Sequence, residues 1–357
     1  MENSKKKFQF IFCLALALIS CDEKNTSVTD PITLGFDKRI GGPYNQFGYA
    51  IDRTHDGGFI IVGSTDTPSE GGDSYLYIVK TNANGDTVWT RTYIDEQVDE
   101  ESFKTIKQTQ GNGFIVAFTN YGGGGKIAKL NSDGQIEWIK SYASWYNAAY
   151  PTSDGGYIAN GVYLTKLNGD GDSIWTKPIS GNDVKPMEDG YIICANISSN
   201  TFLLTKTDLS GNTVFSTNCG LYAISQDIFG NAVAVTADKG FLIAGRKINR
   251  NASGEQGIFI VKTDSIGNSL WAKFFPGGAY DEGAAIVEVP DGYVITGTQG
   301  EGSVVLKLDF NGVAMWTYSK SDIFAYGITN IAKTFVISGM SIYGDRDLSL
   351  FSLIENQ

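Results

Sequence analysis

Histidine is almost absent from this 357-residue chain, which contains only His55. The residue adjoins a turn, Asp56-Gly57-Gly58, that recurs elsewhere in the chain without histidine. Ser-His-Asp and Cys-His nucleophilic sites are therefore disfavoured, and metal sites built from several histidines are excluded. A hydrolase or zinc enzyme of the usual kind is not expected.

Basic charge and helical periodicity are also scarce. The chain has 28 basic residues against 39 acidic ones, a formal net charge of −11, and no basic stripe offsets the excess. Such a surface repels nucleic acid and anionic lipid headgroups, so we expect no nucleic-acid partner. Beyond the first twenty residues, no stretch shows helical periodicity over three turns, which argues against an α-helical domain.

The first twenty residues have the layout of a signal peptide. Lys5–Lys7 form a basic start, and residues 8–19 are apolar apart from Gln9. This segment is too short and wrongly flanked for a stable membrane span. Leu18-Ile19-Ser20-Cys21 resembles the bacterial lipobox, which implies cleavage before Cys21 and its diacylation. An ordinary signal peptide with an incidental cysteine is the alternative.

These features divide the chain into a signal peptide (1–20), a lipidated cysteine with a short linker (21–33) and one folded domain (34–357). Asp22-Glu23-Lys24 resembles the surface-export signal of Bacteroidota lipoproteins, which implies an outer-membrane lipoprotein exposed on the cell surface. In other Gram-negative bacteria, an aspartate at this place is instead linked to retention in the inner membrane. We expect the acyl chains alone to contact the membrane.

Cysteine is scarce as well. Cys13 is lost with the signal peptide and Cys21 carries lipid, so only Cys194 and Cys219 remain as ordinary thiols. An oxidising envelope would permit a bridge between them. In the repeat assignment below they fall on the second and fourth strands of one unit, which are not neighbours. Their Cα atoms would then be more than about 7 Å apart, and two separate buried thiols are expected.

An eight-residue phrase recurs six times: Asx, two residues, Gly, three residues, then Trp or Phe. The copies begin and end at Asn82–Trp89, Asn131–Trp138, Asn168–Trp175, Asp208–Phe215, Asp264–Trp271 and Asp309–Trp316. A lysine precedes each Asx by two residues: Lys80, Lys129, Lys166, Lys206, Lys262 and Lys307. The Asx side chain can bond its own backbone and the glycine can supply a positive φ, so the phrase predicts a tight hairpin. The aromatic residue then lies on the following strand, where it can pack between adjacent sheets.

The repeating unit contains four short strands. In residues 101–142, the segments SFKTIKQTQ, FIVAFT, KIAKL and QIEWIKSY are separated by turn residues. A second marker, typified by Asp56-Gly57-Gly58-Phe59, predicts the turn between the first two strands of each unit. The repeated aromatic residues are 37 to 56 residues apart, a range that brackets the ~40–50 residues of a propeller blade.

The two ends of the domain complete each other. Residues 325–353 supply three strands of a seventh unit without a fourth, while residues 34–42 resemble the fourth strand at residues 270–278. A strand from the N-terminus that completes the last blade closes the ring and removes open sheet edges. The sequence therefore predicts an all-β, seven-bladed β-propeller of four-stranded antiparallel blades. An open β-solenoid is the alternative, and the displaced strand argues against it.

The repeated phrase resembles the tryptophan-docking repeat of pyrroloquinoline-quinone-type propellers. It covers six of the seven blades, with a turn one residue shorter than usual. That family includes quinone dehydrogenases and non-enzymatic outer-membrane assembly lipoproteins. The combination of the Asp-Gly-Gly-aromatic turn with lysine is closer still to propeller lipoproteins of the Bacteroidota. The resemblance indicates a fold more than a function. No insertion here could form a quinone pocket, so we expect no cofactor.

Two groups of polar residues have the residue types of a metal site or of a catalytic site. Residues 168–172, Asn-Gly-Asp-Gly-Asp, resemble the opening of a calcium loop, but they lack its later ligands and occupy the recurring hairpin. Acidic residues also crowd the connections into the second and sixth blades: Asp95, Glu96, Asp99, Glu100, Glu101, Asp281 and Glu282. Paired carboxylates across a cleft could hydrolyse a glycoside. Because the motif repeats in two blades, loop structure is favoured, and neither a metal nor a catalytic residue is expected.

Aromatic residues in the connections between blades are the stronger candidates for binding. Tyr and Trp flanked by polar groups suit the recognition of peptides or sugars, although several of these rings could instead pack between blades. The predicted binding residues are Tyr44, Phe47, Tyr142, Trp145, Tyr146, Tyr280, Asp281 and Glu282. We expect a monomeric, non-catalytic binding or scaffold module for a protein or polysaccharide. The alternatives are an outer-membrane assembly scaffold and a glycan-active enzyme.

Overall fold

The computed structural model describes residues 31–66, 74–98, 103, 105–120, 124–198, 201–219, 226–249, 256–278, 281–342, 344 and 346–356. These residues form seven four-stranded antiparallel sheets arranged in a ring. Within these ranges every regular element is a strand, and no helix has the length and apolar character to cross a membrane. The predicted all-β, seven-bladed propeller is confirmed.

The strands follow one another blade by blade. The chain begins with β1 (Ile32–Ile40), which belongs to the last blade. Blade 1 contains β2 (Ala50–Arg53), β3 (Phe59–Asp66), β4 (Ser74–Thr81) and β5 (Thr87–Gln97). Blade 2 contains β6 (Ile106–Gln108), β7 (Phe114–Thr119), β8 (Gly125–Leu130) and β9 (Ile136–Tyr142). Blade 3 contains β10 (Tyr146–Pro151), β11 (Tyr157–Gly161), β12 (Leu164–Leu167) and β13 (Ser173–Lys177).

The second half of the ring repeats this order. Blade 4 contains β14 (Asp183–Met187), β15 (Gly190–Ser198), β16 (Thr201–Thr207) and β17 (Thr213–Asn218). Blade 5 contains β18 (Gln226–Val235), β19 (Phe241–Asn249), β20 (Gln256–Thr263) and β21 (Ser269–Gly277). Blade 6 contains β22 (Glu282–Val289), β23 (Gly292–Gln299), β24 (Gly302–Leu308) and β25 (Ala314–Lys320). Blade 7 contains β26 (Ile323–Ile331), β27 (Thr334–Ser341), β28 (Leu348–Glu355) and β1.

Burial differs by strand position because each sheet is covered on both faces by its neighbours. The second strand β3 and the third strand β4 are buried almost throughout, which explains their continuous apolar runs. The fourth strand β13 is at the outer edge, and its residues are exposed or only half-buried. The first strands surround the axis of the ring. The apolar core therefore lies between the blades.

The N-terminal strand closes the ring as predicted. β1 pairs antiparallel with β28, from Ile32 opposite Glu355 to Ile40 opposite Leu348. The strand begins two residues before the predicted start at Leu34. A bulge between Leu34 and Asp37 brings the Phe36 ring over Gly85 of blade 1. β1 thereby joins blade 7 to blade 1 and leaves no open edge at the seam.

The predicted hairpin geometry is confirmed. In blade 2, Asn131 Oδ1 accepts hydrogen bonds from the backbone N–H of Asp133 (3.0 Å) and of Gln135 (2.8 Å). Gly134 has a φ of 78°, in the left-handed region that favours glycine. The five other hairpin glycines share this conformation: Gly85, Gly171, Gly211, Gly267 and Gly312.

In the first five phrases, the aromatic residue docks on the hairpin of the next blade. A Cβ atom on Gly134 would lie 2.7 Å from the Trp89 ring, and one on Gly171 would lie 2.8 Å from the Trp138 ring. Trp138 Nε1 also donates to the Gly169 carbonyl at 3.2 Å. The glycine is thus required both for its backbone conformation and for ring contact. The predicted packing between adjacent sheets is confirmed.

The repeated lysine forms an ion pair that the sequence did not reveal. Lys262 Nζ lies 2.8 Å from Asp238 Oδ2 in the turn between the first two strands of blade 5, and it donates to the Thr263 carbonyl. Equivalent pairs are Lys80–Asp56, Lys166–Asp154, Lys206–Asp189 and Lys307–Asp291. The first turn and the third-to-fourth-strand hairpin therefore lie at one end of each blade. We call this end of the ring the turn face and the opposite end the loop face.

Cys194 and Cys219 are both buried, and they are not joined by a disulfide bond. Cys194 is on β15, the second strand of blade 4, and Cys219 directly follows β17, its fourth strand. The expectation of two separate buried thiols is confirmed. Both contribute to the apolar layer between blades 4 and 5.

Candidate binding site at the central channel

The first strands of all seven blades line a central channel with a cavity of about 800 Å³. They run side by side in one direction, since Tyr49 contacts Phe103 near their starts and Asp52 contacts Lys107 near their ends. The strands therefore start at the loop face and end at the turn face. A cavity of this size is in the range of small-molecule and peptide-side-chain pockets.

One wall of the channel is polar. Asp52, Lys107, Tyr150 and Lys185 each pair with the residue that follows the buried aromatic at the start of their second strand. This shared register puts the four side chains at one level of the channel. Because they come from blades 1 to 4, they form a band on one side only.

Contacts between these side chains connect the four blades. Lys107 Nζ lies 2.7 Å from Asp52 Oδ1 and 5.6 Å from the centre of the Tyr150 ring. Lys185 Nζ lies 4.4 Å from the same ring, 2.5 Å from Asp183 Oδ2, and donates to the Tyr150 hydroxyl. Asp183 Oδ2 also accepts the backbone N–H of Val233. Ion pairs and cation–π contacts thus join the inner ends of neighbouring blades.

The polar wall contains two buried ionisable groups with shifted pKa values, Tyr150 and Lys185. Burial raises the pKa of Tyr150 well above its ordinary value, and the negative charges of Asp183 and Asp52 add to this effect. Burial lowers the pKa of Lys185, while the adjacent Asp183 opposes that change. The wall offers hydrogen bonds and paired charges to a ligand.

The opposite wall is largely apolar. Blades 5 to 7 contribute Val233, Val287 and Ile328, with small residues such as Ala285 and Gly327 between them. Ala234 and Val287 lie at the same register level as Asp52, since each pairs with the residue after an aromatic strand start. The channel therefore has two different sides, which suits a ligand with one polar and one apolar edge.

Aromatic rings from blades 7, 1 and 2 lie on one side of the channel mouth at the loop face. The Tyr49 ring centre lies 5.2 Å from that of Tyr326 and 6.0 Å from that of Phe103. Tyr49, Phe324 and Tyr326 are half-buried and line the cavity, whereas Phe103 is buried beneath them. Across the mouth, Glu282 Oε2 accepts a hydrogen bond from Asn231 Nδ2 at 3.1 Å. The rings form a platform at the entrance.

The predicted aromatic binding residues are not all open to solvent. Trp145 is 54% exposed, and Tyr44 and Tyr142 are half-buried, but Phe47 and Tyr146 are each only 3% exposed. The Phe47 ring stacks on Tyr49, and the Tyr146 hydroxyl bonds with Thr165 Oγ1. Phe47 and Tyr146 therefore pack within the propeller, and in this conformation they offer no surface to a macromolecule. Ligand contact by Tyr44, Tyr142 and Trp145 stays a prediction.

The two predicted acidic residues have different environments. Asp281 is 1% exposed, and its carboxylate accepts the backbone N–H of Gly278 (2.7 Å) and of Gly300 (2.6 Å). This carboxylate holds two loops of blade 6 together. Glu282 is half-buried at the channel mouth, so of the two it is the one placed to meet a ligand. Tyr280, Cys21 and the acidic residues 99–101 lie outside the described residues.

Other chemistry considered from the sequence has structural roles in the described chain. His55 Nδ1 lies 3.0 Å from Asn112 Oδ1, which links the turns of blades 1 and 2. Asn168 Oδ1 accepts the backbone N–H of Asp170 and of Asp172, as in the other hairpins. Glu96 pairs with Lys126. In the described ranges, no three or more His, Cys, Asp or Glu side chains are arranged to hold a metal ion.

The polar wall and part of the aromatic mouth were not predicted from the sequence. Asp52, Lys107 and Lys185 are charged residues inside short first strands, at the level where blades 5 and 6 have Ala234 and Val287. An alignment of the repeats would have shown this contrast between charged and apolar residues, and it would have indicated a polar wall. Tyr326 gave no such signal, because only ring closure brings blade 7 beside Tyr49 of blade 1.

Neither a protein-family model nor a curated protein matches the chain by sequence. Several solved structures are similar to the chain. BamB from Moraxella catarrhalis has a TM-score of 0.56 and 13% identity, and the match covers 90% of this chain and 99% of that one. The Pan2 WD40 domain from Neurospora crassa has a TM-score of 0.61 and 10% identity, and the match covers 91% of this chain and 96% of that one. Sqt1 from Chaetomium thermophilum has a TM-score of 0.55 and 10% identity, and the match covers 86% of this chain and 83% of that one. These similarities show a shared propeller fold.

Proposed function

We propose that this chain is a lipid-anchored cell-envelope protein that binds a segment of a partner protein at the channel mouth on its loop face, without catalysing a reaction. The observation that carries the proposal is the cluster of half-buried aromatic side chains, Tyr49, Phe324 and Tyr326, at the mouth of a cavity of about 800 Å³. Aromatic anchors beside a pocket are typical of the centre of a protein interface.

The two-sided channel favours a protein segment over a sugar. The apolar wall of Val233, Val287 and Ile328 can take an aliphatic or aromatic side chain. The polar wall beside it can satisfy backbone N–H and C=O groups of the same segment. A polysaccharide remains the alternative ligand, since tyrosine rings also stack on sugars.

The placement in the envelope rests on the sequence. Leu18-Ile19-Ser20-Cys21 matches a lipobox directly after an apolar stretch, and Asp22-Glu23 follows it. We infer an acylated Cys21 and an outer-membrane lipoprotein exposed at the cell surface. The chain is linked to this anchor at the turn face, which leaves the aromatic mouth on the opposite face.

A glycan-active enzyme is disfavoured by the surroundings of the acidic residues. Both oxygens of Asp281 are occupied by backbone N–H groups, and the side chain is 1% exposed. Such a carboxylate cannot approach a glycosidic bond without unfolding its loops. An outer-membrane assembly scaffold remains the second candidate, because the docking repeat resembles that of such lipoproteins.

The test is site-specific photo-crosslinking in intact cells. A photoreactive phenylalanine analogue replaces Tyr326 at the mouth or, as the control, Ile174, which is 58% exposed on the outer edge of blade 3. We expect a partner adduct from position 326 and none from position 174. The Tyr49→Ala variant should weaken the captured complex by roughly thirtyfold, as loss of a central aromatic anchor costs about 2 kcal/mol.

Adducts from position 174 without any from 326 would place the interface elsewhere and refute the proposal. Adducts to barrel-assembly proteins would support the scaffold candidate. Binding to polysaccharide that is abolished by Tyr326→Ala, with no protein adduct, would show that the mouth takes a glycan. Turnover of a polysaccharide panel would overturn the non-catalytic assignment.

A further inference from the structure

The tips of the turn-face hairpins differ between the two halves of the ring. In blades 4 to 6 the tips present Leu209, Ile266 and Phe310, which are 54%, 64% and 46% exposed. At the same hairpins, further exposed apolar residues lie on the outer strand or directly before it: Val214, Leu270, Val313 and Met315. We call these seven residues the apolar arc. The tips of blades 1 to 3 carry Asn84, Asp133 and Asp170 instead.

The acidic residues within the arc are turned back toward the protein. Asp264 Oδ1 accepts the backbone N–H of Ile266 (3.0 Å) and of Asn268 (2.8 Å). Asp208 and Asp309 bond their own hairpins in the same way. These three aspartates are half-buried, while the apolar side chains after them are exposed. The outermost surface of the arc is therefore apolar despite the net negative charge of the chain.

The N-terminal segment reaches the propeller at this same face. Ile32, the first residue of β1, lies opposite Glu355, and Glu355 contacts Lys307 at the turn-face end of blade 6. The Phe36 ring covers Gly85 in the hairpin of blade 1. The chain thus enters between blades 6 and 1, beside the end of the arc that contains Phe310.

The distance to the anchor is short. Nine residues lie between Cys21 and Pro31, and the ten extended steps from one to the other span at most about 35 Å. A lipid on Cys21 therefore keeps the turn face within that distance of the bilayer surface. Among the possible occupants of the arc, this position selects the membrane over a soluble partner or a second copy.

We propose that the apolar arc rests in the membrane interface and orients the propeller, with its channel mouth facing away from the bilayer. The inference rests on the lipid anchor of the proposed function, and it revises the expectation that acyl chains alone contact the membrane. Leu, Ile and Phe side chains enter the headgroup boundary while the hairpin backbone stays bonded to its own aspartates. The formal net charge of −11 restricts this contact to zwitterionic rather than anionic lipid.

The first experiment isolates the arc from the anchor. The Cys21→Ser chain, without its acyl chains, is sedimented with phosphatidylcholine vesicles. We expect weak binding that falls about tenfold or more in Leu209→Ser/Ile266→Ser and further when Phe310→Ser is added. The matched control, Val88→Ser/Ile174→Ser, removes two comparably exposed apolar residues from blades 1 and 3 and should bind as well as the parent.

Thermal unfolding of each variant checks its fold, since Phe310 packs on Tyr293 and its removal could weaken blade 6. The double variant retains this contact. Equal losses in the arc variant and in the control would overturn the proposal, as would stronger binding when phosphatidylglycerol is included. A dimer of the Cys21→Ser chain that dissociates on Leu209→Ser/Ile266→Ser would identify a second copy as the occupant and also overturn it.

The second experiment uses the acylated full chain in phosphatidylcholine nanodiscs. A fluorophore is attached at Leu209→Cys or at Ser132→Cys, since both residues directly follow the hairpin Asx, in blades 4 and 2. Headgroup-labelled quencher lipid should quench position 209 at least twofold more than position 132. Equal quenching refutes the arc as a contact. Mass spectrometry of Cys21 separately tests the anchor, so a chain without acyl groups refutes the proposed envelope attachment and not the arc.

Discussion

At the scale of single residues, the lysine-aspartate pairs decide how the blades hold their turns. Lys262 is 2% exposed, and its ammonium contacts both oxygens of Asp238 and the Thr263 carbonyl. A buried ammonium must be paired and fully bonded, because its desolvation would otherwise be costly. Recurrence in five blades makes this pair a feature of the repeat, and blade 2, without an aspartate at this turn, uses Glu137 instead.

These pairs predict loss of stability in acid. The hydrogen bond from Thr152 and the contact with Lys166 lower the pKa of Asp154 to about 2. Burial alone would raise the pKa of Asp56 and Asp238, but bonds from Thr54 and Thr236 and the paired lysines lower it to about 2. Since the native pKa is below the unfolded value of about 3.9, their stabilisation is complete above about pH 5 and is lost progressively as the pH falls toward 2.

Urea unfolding from pH 7 to pH 2.5 measures this effect. The Asp56→Asn/Asp154→Asn/Asp238→Asn variant should be less stable than the parent at pH 7, and the difference should shrink below pH 4. Asp133→Asn at an exposed hairpin tip is the control and should leave the profile unchanged. A difference that is the same at both pH values would contradict a role for the charges.

At the scale of elements, each blade is completed by contact with its neighbour. The fourth-strand aromatic packs on the next hairpin glycine, so the hairpin is shaped for a ring from another blade. Phe215 occupies this place in blade 4, above Gly267, which shows that the ring matters more than the indole N–H. Trp316, which precedes the seam, instead donates to Glu355 Oε1 at 3.0 Å.

Substitutions at Trp138 separate the ring from its hydrogen bond. Trp138→Ala should destabilise the propeller by about 3 kcal/mol, because it removes a large ring from between two blades. Trp138→Phe keeps a ring above Gly171 and loses the bond to the Gly169 carbonyl, at a cost of about 1 kcal/mol. Chemical denaturation measures both. Trp145→Ala, at a 54% exposed position, should change stability by less than about 0.5 kcal/mol.

At the scale of the whole molecule, the ring depends on a seam between the two ends of the chain. In blade 7 no hairpin joins the third strand, β28, to the fourth strand, β1, because β28 is the last strand in the chain order and β1 is the first.

 In every other blade a hairpin makes that connection, whereas here strand pairing and side chains do so. Lys307, which is fully buried, pairs with both Asp291 and Glu355. Glu355 therefore takes the place that a hairpin holds elsewhere.

Removal of the Glu355 carboxylate tests the seam. Glu355→Ala should destabilise the propeller by about 2 kcal/mol, because the buried Lys307 loses one of its two carboxylates and Trp316 loses its acceptor. Limited proteolysis should then cut near β1 sooner than in the parent chain. Lys38→Ala, which breaks only the exposed pair with Asp86, should cost less than about 1 kcal/mol. Equal proteolysis of the two variants would show that β1 is held by backbone pairing alone.

Much of the architecture could be predicted because its signals are local. The Asx side chain and the positive φ of a glycine such as Gly134 specify a hairpin within five residues. The hairpin occurs once in each of six blades, so its copies indicate the number of blades. A fourth strand displaced to the N-terminus predicts closure of the ring. The binding residues were harder to predict, since exposure of Phe47 or Tyr146 depends on which blade packs against it.

The sequence by itself determined the strands, the hairpins, the seven blades and the strand that closes the ring, because backbone conformation and turn chemistry act over a few residues. Only the tertiary structure decided the two-sided channel, the aromatic mouth and the apolar arc. Asp52 and Lys107, or Leu209 and Phe310, belong to different blades, and ring geometry alone brings such residues to one wall or one rim. Side chains that converge across a closed ring depend on the packing of every blade between them.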